Sequence, residues 1–211
     1  PYAVAVDDTA KALDELQGRS DIDYAEPNYI IEAEALPNDW PYGNAEWEGT
    51  GMGAAFDFIA AAPAGNTVRI AVVDSGVDAD HPELADVLIP GHDFANGDSE
   101  PEDDAGHGTK VCGIIGAKGG NAYGSAGVAW NTPVEIMPLK FMKLNGGSTT
   151  GCTSDAVDAI YYAVDHGATI INASWGFSSY SKALEDAIKY ARNHGVLFVA
   201  SAGNSGEDND K

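Results

Sequence analysis

The sequence predicts an α/β fold: a mostly parallel sheet with helices on both faces, in three layers, preceded by a smaller α+β unit. Three observations carry this. Four apolar runs, "TVRIAVVD", "VEIMPLKF", "ATIINASWG" and "VLFVASAGN", lack the polar alternation of half-exposed strands and read as strands buried on both faces. Segments with helical spacing of apolar residues lie between them. The two kinds of segment take turns along the chain, the order expected of parallel strands joined by crossover helices.

In chain order, residues 1–36 form the smaller unit. "YAVAV" alternates like a short strand. "DDTAKALDELQG" offers Asp8 or Thr9 as N-cap, a stripe of Ala12, Leu13 and Leu16, and Gly18 as stop. "DYAEPNYIIEAEA" is extended, with Pro27 restricting it to an edge or irregular position. "LPNDWPYGNAEWEGTGMG" reads as a linker, and the larger unit, 37–211, becomes regular from about residue 67. After the first strand, "GTKVCGIIGA" is a helix of small residues able to pack closely on a sheet. "SDAVDAIYYAVDHG" is a helix with Ser154 as N-cap, Val157, Ile160, Tyr161 and Val164 on one face, and Gly167 as stop. "SKALEDAIKYARNHG" repeats the plan with Ala183, Leu184, Ala187, Ile188 and Ala191, closed by Gly195.

Composition narrows the partners. The 211 residues hold 33 acidic side chains against 11 Lys and Arg, a net charge of −22. Such a surface repels nucleic-acid phosphates and anionic lipid, so neither is expected as a partner. It suits calcium binding or a salty medium, or it serves solubility alone. No apolar run approaches the roughly 20 residues of a membrane helix. The opening "PYAVAVDD" carries no initiator Met, basic region or apolar core of a signal peptide, so an internal piece of a longer precursor is expected. Cys112 and Cys152 allow one disulfide at most, and a buried free thiol is the expected state of Cys112.

In parallel sheets, sites form at the carboxyl ends of strands. Asp74, Ser174 and Asn204 all fall at such ends. Asp74, opening "DSGVD", reads as a turn residue bonding its own backbone, as a carboxylate orienting a histidine, or as one half of an aspartic-protease pair, the last disfavoured because that fold is all-β. Of five histidines, His166 and His194 precede glycines at helix ends, where the dipole favours a cation. His81 and His92 lie in loops without converging groups. His107 differs, because Gly106 and Gly108 flank it and permit close approach of a substrate backbone. Asn204, in "SAGNSG", reads as a turn residue or as an amide donating to an oxyanion.

Together, D-S-G, H-G-T and A-G-N in that order resemble the subtilisin-like serine proteases, or subtilases, of peptidase family S8. "VRIAVVDSGVDADHPEL" resembles the segment around that family's aspartate, and "GHGTKVCGIIGA" its histidine helix. "ATIINASWG" resembles the substrate-lining strand, and "GVLFVASAGNSG" the segment with the oxyanion asparagine. The resemblance implies a subtilisin-like three-layer sandwich, incomplete at the carboxyl end. It implies a serine endopeptidase in which Asp74 orients His107, His107 moves the proton and Asn204 stabilises the oxyanion. Ser174, Trp175 and Gly176 would pair with the substrate backbone and form one wall of the first specificity pocket, with Thr149, Thr150 and Gly151 presenting the opposing edge. Lys110 and Cys112 stand where the family commonly has histidine and alanine. Cys112 lies about 140° round the helix from His107 and cannot serve it as nucleophile.

The resemblance further implies that residues 1–36 are the end of an inhibitor-type propeptide that occupies the cleft until cleaved. It implies a structural calcium site from Glu83 and Asn121 with carbonyls of Gly119, Tyr123 and Ser125. The implied protein is secreted as a zymogen, acts on peptide or protein substrates and is a monomer when complete. No stretch resembles the family's G-T-S-M-A motif, and no serine here has a nucleophile's context. The chain alone is therefore expected to be inactive, as a partial record of a subtilase, one fragment of a nicked enzyme, or a peptide-binding module that keeps the cleft.

Overall fold

The computed structural model describes residues 8–17, 19, 65–176 and 180–204. The expected strands and linker within residues 1–7 and 20–64, and Gly18, lie outside them. The chain divides into two compact units, Pro1–Glu34 and Ala35–Lys211. In the first, helix α1 spans Thr9–Gln17. Asp8 begins it, its Oδ1 accepting from the Lys11 N–H at 3.1 Å, which satisfies one of the orphan donors of the first turn.

The second unit is built on a five-stranded sheet. Its strands are β1 (Val68–Asp74), β2 (His92–Asp93), β3 (Val134–Lys140), β6 (Ile170–Ala173) and β7 (Leu197–Ala200). They lie in the order β2-β3-β1-β6-β7, and every pairing is parallel. Strands β4 (Met142–Asn145) and β5 (Ser148–Gly151) form a separate antiparallel hairpin. Helices α2 (His107–Gly116), α3 (Thr153–Asp165) and α4 (Lys182–Asn193) supply the crossovers.

Alternate residues of the strands feed two cores. Ala71, Val73, Met137, Leu139 and Ile171 face α3 and α4. Ile70, Val72 and Ile136 face the other way, onto Cys112 of α2 and Leu84. Unalternated strands are thus apolar because both faces are covered. Each large side chain removed from water contributes roughly 1.5–3 kcal/mol. The small residues of α2 serve contact, as at Gly116, where a Cβ would stand 3.2 Å from Ile136 and 3.4 Å from Val134.

From β1 the chain passes to β2 at the edge of the sheet and returns through α2 to β3, beside β1; it then crosses to the other side of β1, to β6 and β7, through α3 and α4. Right-handed crossovers that reverse direction place their helices on opposite faces. The reversal opens a crevice at the carboxyl end of β1, where Asp74 ends the strand opposite Lys140.

Local expectations are corrected as follows: His92, read as a loop residue, lies in the two-residue strand β2. Helix α3 starts two residues earlier than a Ser154 cap requires: its N-cap is Cys152, without a side-chain cap bond, and Ser154 Oγ donates instead to Asp155. On α4, Leu184, Ala187 and Ala191 are buried and Ile188 half-buried, but Ala183 is exposed. Strand β7 is the last strand of the sheet among the described residues, and there its Leu197 and Val199 are 59% and 45% exposed.

Candidate active site

Asp74 closes β1 and is fully buried. Its Oδ1 accepts from Nδ1–H of His107 at 2.7 Å and from the Ser75 N–H at 2.7 Å. Oδ2 is buried without a hydrogen-bond partner. Burial pushes this carboxyl upward, opposed by the bonds from His107 and the Ser75 backbone. With Nδ1 committed to the carboxylate, Nε2 of His107 carries the free lone pair. The imidazole side chain is 47% exposed, so that nitrogen is open to a reacting group. Among the described residues, no hydroxyl hydrogen-bonds it.

His107 is the first residue of α2, after Gly106 at φ 78°, a left-handed position where glycine carries no steric cost. Gly108 has a different reason. A Cβ there would stand 2.2 Å from the Gly76 carbonyl oxygen, so this glycine lets the start of α2 dock on the turn after β1. The sequence reading assigned its freedom to substrate approach; backbone packing requires it.

A carboxylate that sequence reasoning missed organises this junction. Asp103 accepts from Ser75 Oγ, Ala105 N, Gly106 N, Thr109 N and Thr109 Oγ1. Burial raises its carboxyl, but the Thr109, Ser75 and Gly106 bonds win and hold it below the ordinary range. Beside it, Asp104 accepts from Lys140 Nζ at 2.8 Å. Lys140 is buried and also donates to the Ser75 carbonyl. Cys112 is a free, buried thiol that burial, with Asp74 and Asp103 nearby, pushes up to about 12. It stays protonated and inert. Cys152 is also free, and exposed.

The expected substrate segments lie on either side of one cavity of about 280 Å³, lined by Thr149, Thr150, Gly151, Trp175 and Gly176, with Phe141, Ala156 and Leu184 among the apolar residues. Strand β5 is exposed along its length and pairs, among the described residues, only with β4. Trp175 packs on Phe141 and donates its indole N–H to the Val73 carbonyl at 2.7 Å, fixing this wall to the strand that carries Asp74. Ser174 does not line the cavity; its Oγ accepts from Asn172. Asn204 lies exposed just beyond β7, at the same end of the sheet. No hydrogen bond joins it to Asp74 or His107 among the described residues.

Of the expected calcium ligands, Glu83 is 5% exposed. Its Oε1 accepts from Asn121 Nδ2 at 2.7 Å, and Oε2 is buried without a partner. Asn121 Oδ1 accepts from the Tyr123 N–H. Gly119 lies against the Trp130 ring, and Tyr123 and Ser125 are exposed. No group of three or more His, Cys, Asp or Glu able to hold a metal occurs among the described residues. The unpartnered buried oxygen of Glu83 fits a cation that would take most of its ligands from neutral oxygens.

The remaining histidines make local contacts: His81 Nδ1 accepts from the Glu83 N–H at 3.3 Å. Nδ1–H of His166 and of His194 each donates 2.8 Å to the carbonyl of the tyrosine one turn earlier, and His92 packs among Phe94 and Tyr162.

Fold and site are those of an α/β enzyme whose working groups gather at the carboxyl ends of parallel strands. The subtilase family model matches residues 65–211. A thermophilic serine proteinase of Bacillus sp. (strain AK1) is 42% identical over 187 residues, 88% of this chain and 45% of that protein. Thermitase of Thermoactinomyces vulgaris is 39% identical over 142 residues, 67% of this chain and 49% of that protein. Among solved structures, fervidolysin from Fervidobacterium pennivorans, a keratinolytic enzyme related to subtilisin, aligns with a TM-score of 0.64 at 31% identity, covering 88% of this chain and 29% of that one. The chain belongs to the subtilase family. It spans about half the length of the curated relatives it matches, 45% and 49%.

Proposed function

We propose that this chain supplies the aspartate and histidine of an Asp-His-Ser triad in a serine endopeptidase. The observation that carries the reading is the 2.7 Å bond from His107 Nδ1 to the buried Asp74. It fixes the tautomer in which Nε2 can take a hydroxyl proton and return it to the leaving amine, while Asp74 stabilises the imidazolium between those steps. Asn204 donates to the tetrahedral oxyanion, a contribution of about 3–4 kcal/mol at the transition state. The exposed edge of β5 and the backbone of Ser174, Trp175 and Gly176 pair with an extended substrate, and the cavity between them takes its side chains.

The nucleophilic serine belongs to a further segment, in continuation or on a second chain. The greater length of the relatives supports this, and the 211 residues alone are inactive. Residues 1–36 are the end of an inhibitor-type propeptide, which makes the longer product a zymogen and its own cleft the first partner. Two facts favour this: Pro1–Glu34 forms a compact unit of its own, and the likeness to the Bacillus proteinase, covering 88% of this chain, continues ahead of residue 65. The mature enzyme acts as a monomer.

Calcium would be held by Glu83, Asn121 and the carbonyls of Gly119, Tyr123 and Ser125. It would supply positive charge tying the turn after β1 to the loop after α2. A single carboxylate makes a weak site, filled at the millimolar calcium found outside cells, which agrees with secretion.

The test uses the longer gene product with a casein substrate and a serine-reactive fluorophosphonate. Asp74→Asn should lower kcat about 10⁴-fold by favouring the wrong tautomer. Labelling of the 211-residue chain by itself would overturn the assignment of the nucleophile to another segment.

A further inference from the structure

The His107 ring is 47% exposed, so packing does little to orient it. Its placement depends on one hydrogen bond and on the backbone that carries it. That backbone is tied on both sides of His107 to Asp103. Oδ1 of Asp103 accepts from Gly106 N at 2.8 Å and Ala105 N at 3.1 Å, just before the histidine. Oδ2 accepts from Thr109 N at 2.9 Å and Thr109 Oγ1 at 2.6 Å, just after it. The fifth donor is Ser75 Oγ, at 2.8 Å. Ser75 is the chain neighbour of Asp74, and its hydroxyl also accepts from Gly108 N at 2.9 Å. A carboxylate acting only as a helix cap would satisfy the first-turn N–H groups. It would have no need of a hydroxyl from the strand that ends at Asp74.

We propose that Asp103 is a positioning residue. It holds His107 at bonding distance from Asp74: Oδ2 grips Thr109 in the first turn of α2, and Oδ1 joins the residues leading into that helix to Ser75 in the turn after β1. Asp104 and Lys140 add a second tie, because Lys140 Nζ bonds both Asp104 and the Ser75 carbonyl, each at 2.8 Å. Ser75 is thereby held through its hydroxyl and its carbonyl at once. The inference rests on the reading of Asp74 and His107 as the proton-transfer pair.

Two measurements test it. In the 211-residue chain labelled with ¹⁵N-histidine, the His107 Nδ1 proton should give a downfield, exchange-protected resonance, as a short bond to a buried carboxylate does. Asp103→Ala should abolish that resonance while the chain still unfolds cooperatively. Asp103→Asn should keep it only in part, because an amide accepts at one atom where the carboxylate accepts at two. In the longer gene product, Asp103→Ala should lower kcat roughly ten- to hundredfold, the scale of a 1 Å misplacement, with KM nearly unchanged. A folded Asp103→Ala chain with the resonance intact sinks the proposal. If that variant does not fold, Ser75→Ala and Thr109→Val decide, and retention of the resonance in both overturns it. If Asp103→Ala abolishes the resonance in the 211-residue chain but the unsubstituted longer gene product cleaves nothing, the positioning role stands and the proteolytic reading falls instead.

Discussion

Gly108 and Asp103 bound His107 in space, and they differ in how visible they are in sequence. Gly108 stands out beside the histidine, but its reason does not. Only the fold brings the Gly76 carbonyl to 2.2 Å from where a Cβ would sit. Gly108→Ala is therefore expected to lower stability by about 1–3 kcal/mol, the usual range for overpacking, as measured by urea unfolding; an unchanged midpoint would contradict the contact. Asp103 leaves no such mark, since its five donors come from Ser75, from residues 105–106 and from Thr109. Asp74 and His107 were legible because a strand-end carboxylate and a glycine-flanked histidine are separately unusual and chemically complementary. Their 2.7 Å bond is a product of the fold that neither motif contains.

At the scale of elements, strands and helices were easier to read than their ends. Ser154 is the better capping residue by type, yet α3 begins at Thr153, because β5 runs to Gly151 and leaves only Cys152 as the junction. Gly151 cannot shift freely, as its Cβ position falls 2.4 Å from the Phe141 carbonyl. The helix thus starts without a side-chain cap. Cys152→Ser should add one, raising stability by about 0.5–1 kcal/mol and the melting temperature by a few degrees. The opposite change is expected for Ser181→Ala, which removes the bond Ser181 Oγ accepts from Leu184 N. Thermal melts of the pair check both signs.

For the whole molecule, alternation of strand and helix was enough to place the sheet, its two covered faces and the crevice at the end of β1. Charge acts at the same scale. A net charge of −22 repels itself in the compact state. The melting temperature should therefore rise as sodium chloride screens that repulsion between about 0.01 and 0.5 M, and a flat response would count against it. Calcium should raise it further at fixed ionic strength. A chelator should reverse that increment and Glu83→Gln should erase it; equal responses in both proteins would remove Glu83 from the site.

The bare side of β7 gives salt a second, opposing effect. Its outer edge pairs with no other strand among the described residues and presents Leu197 and Val199, a template on which a strand from another molecule can form. At low ionic strength, mutual repulsion between acidic copies keeps such edges apart. Conditions that make each molecule firmer would also let molecules meet. Concentrated stocks of the isolated chain should cloud as salt is added, even while each folded copy becomes harder to melt.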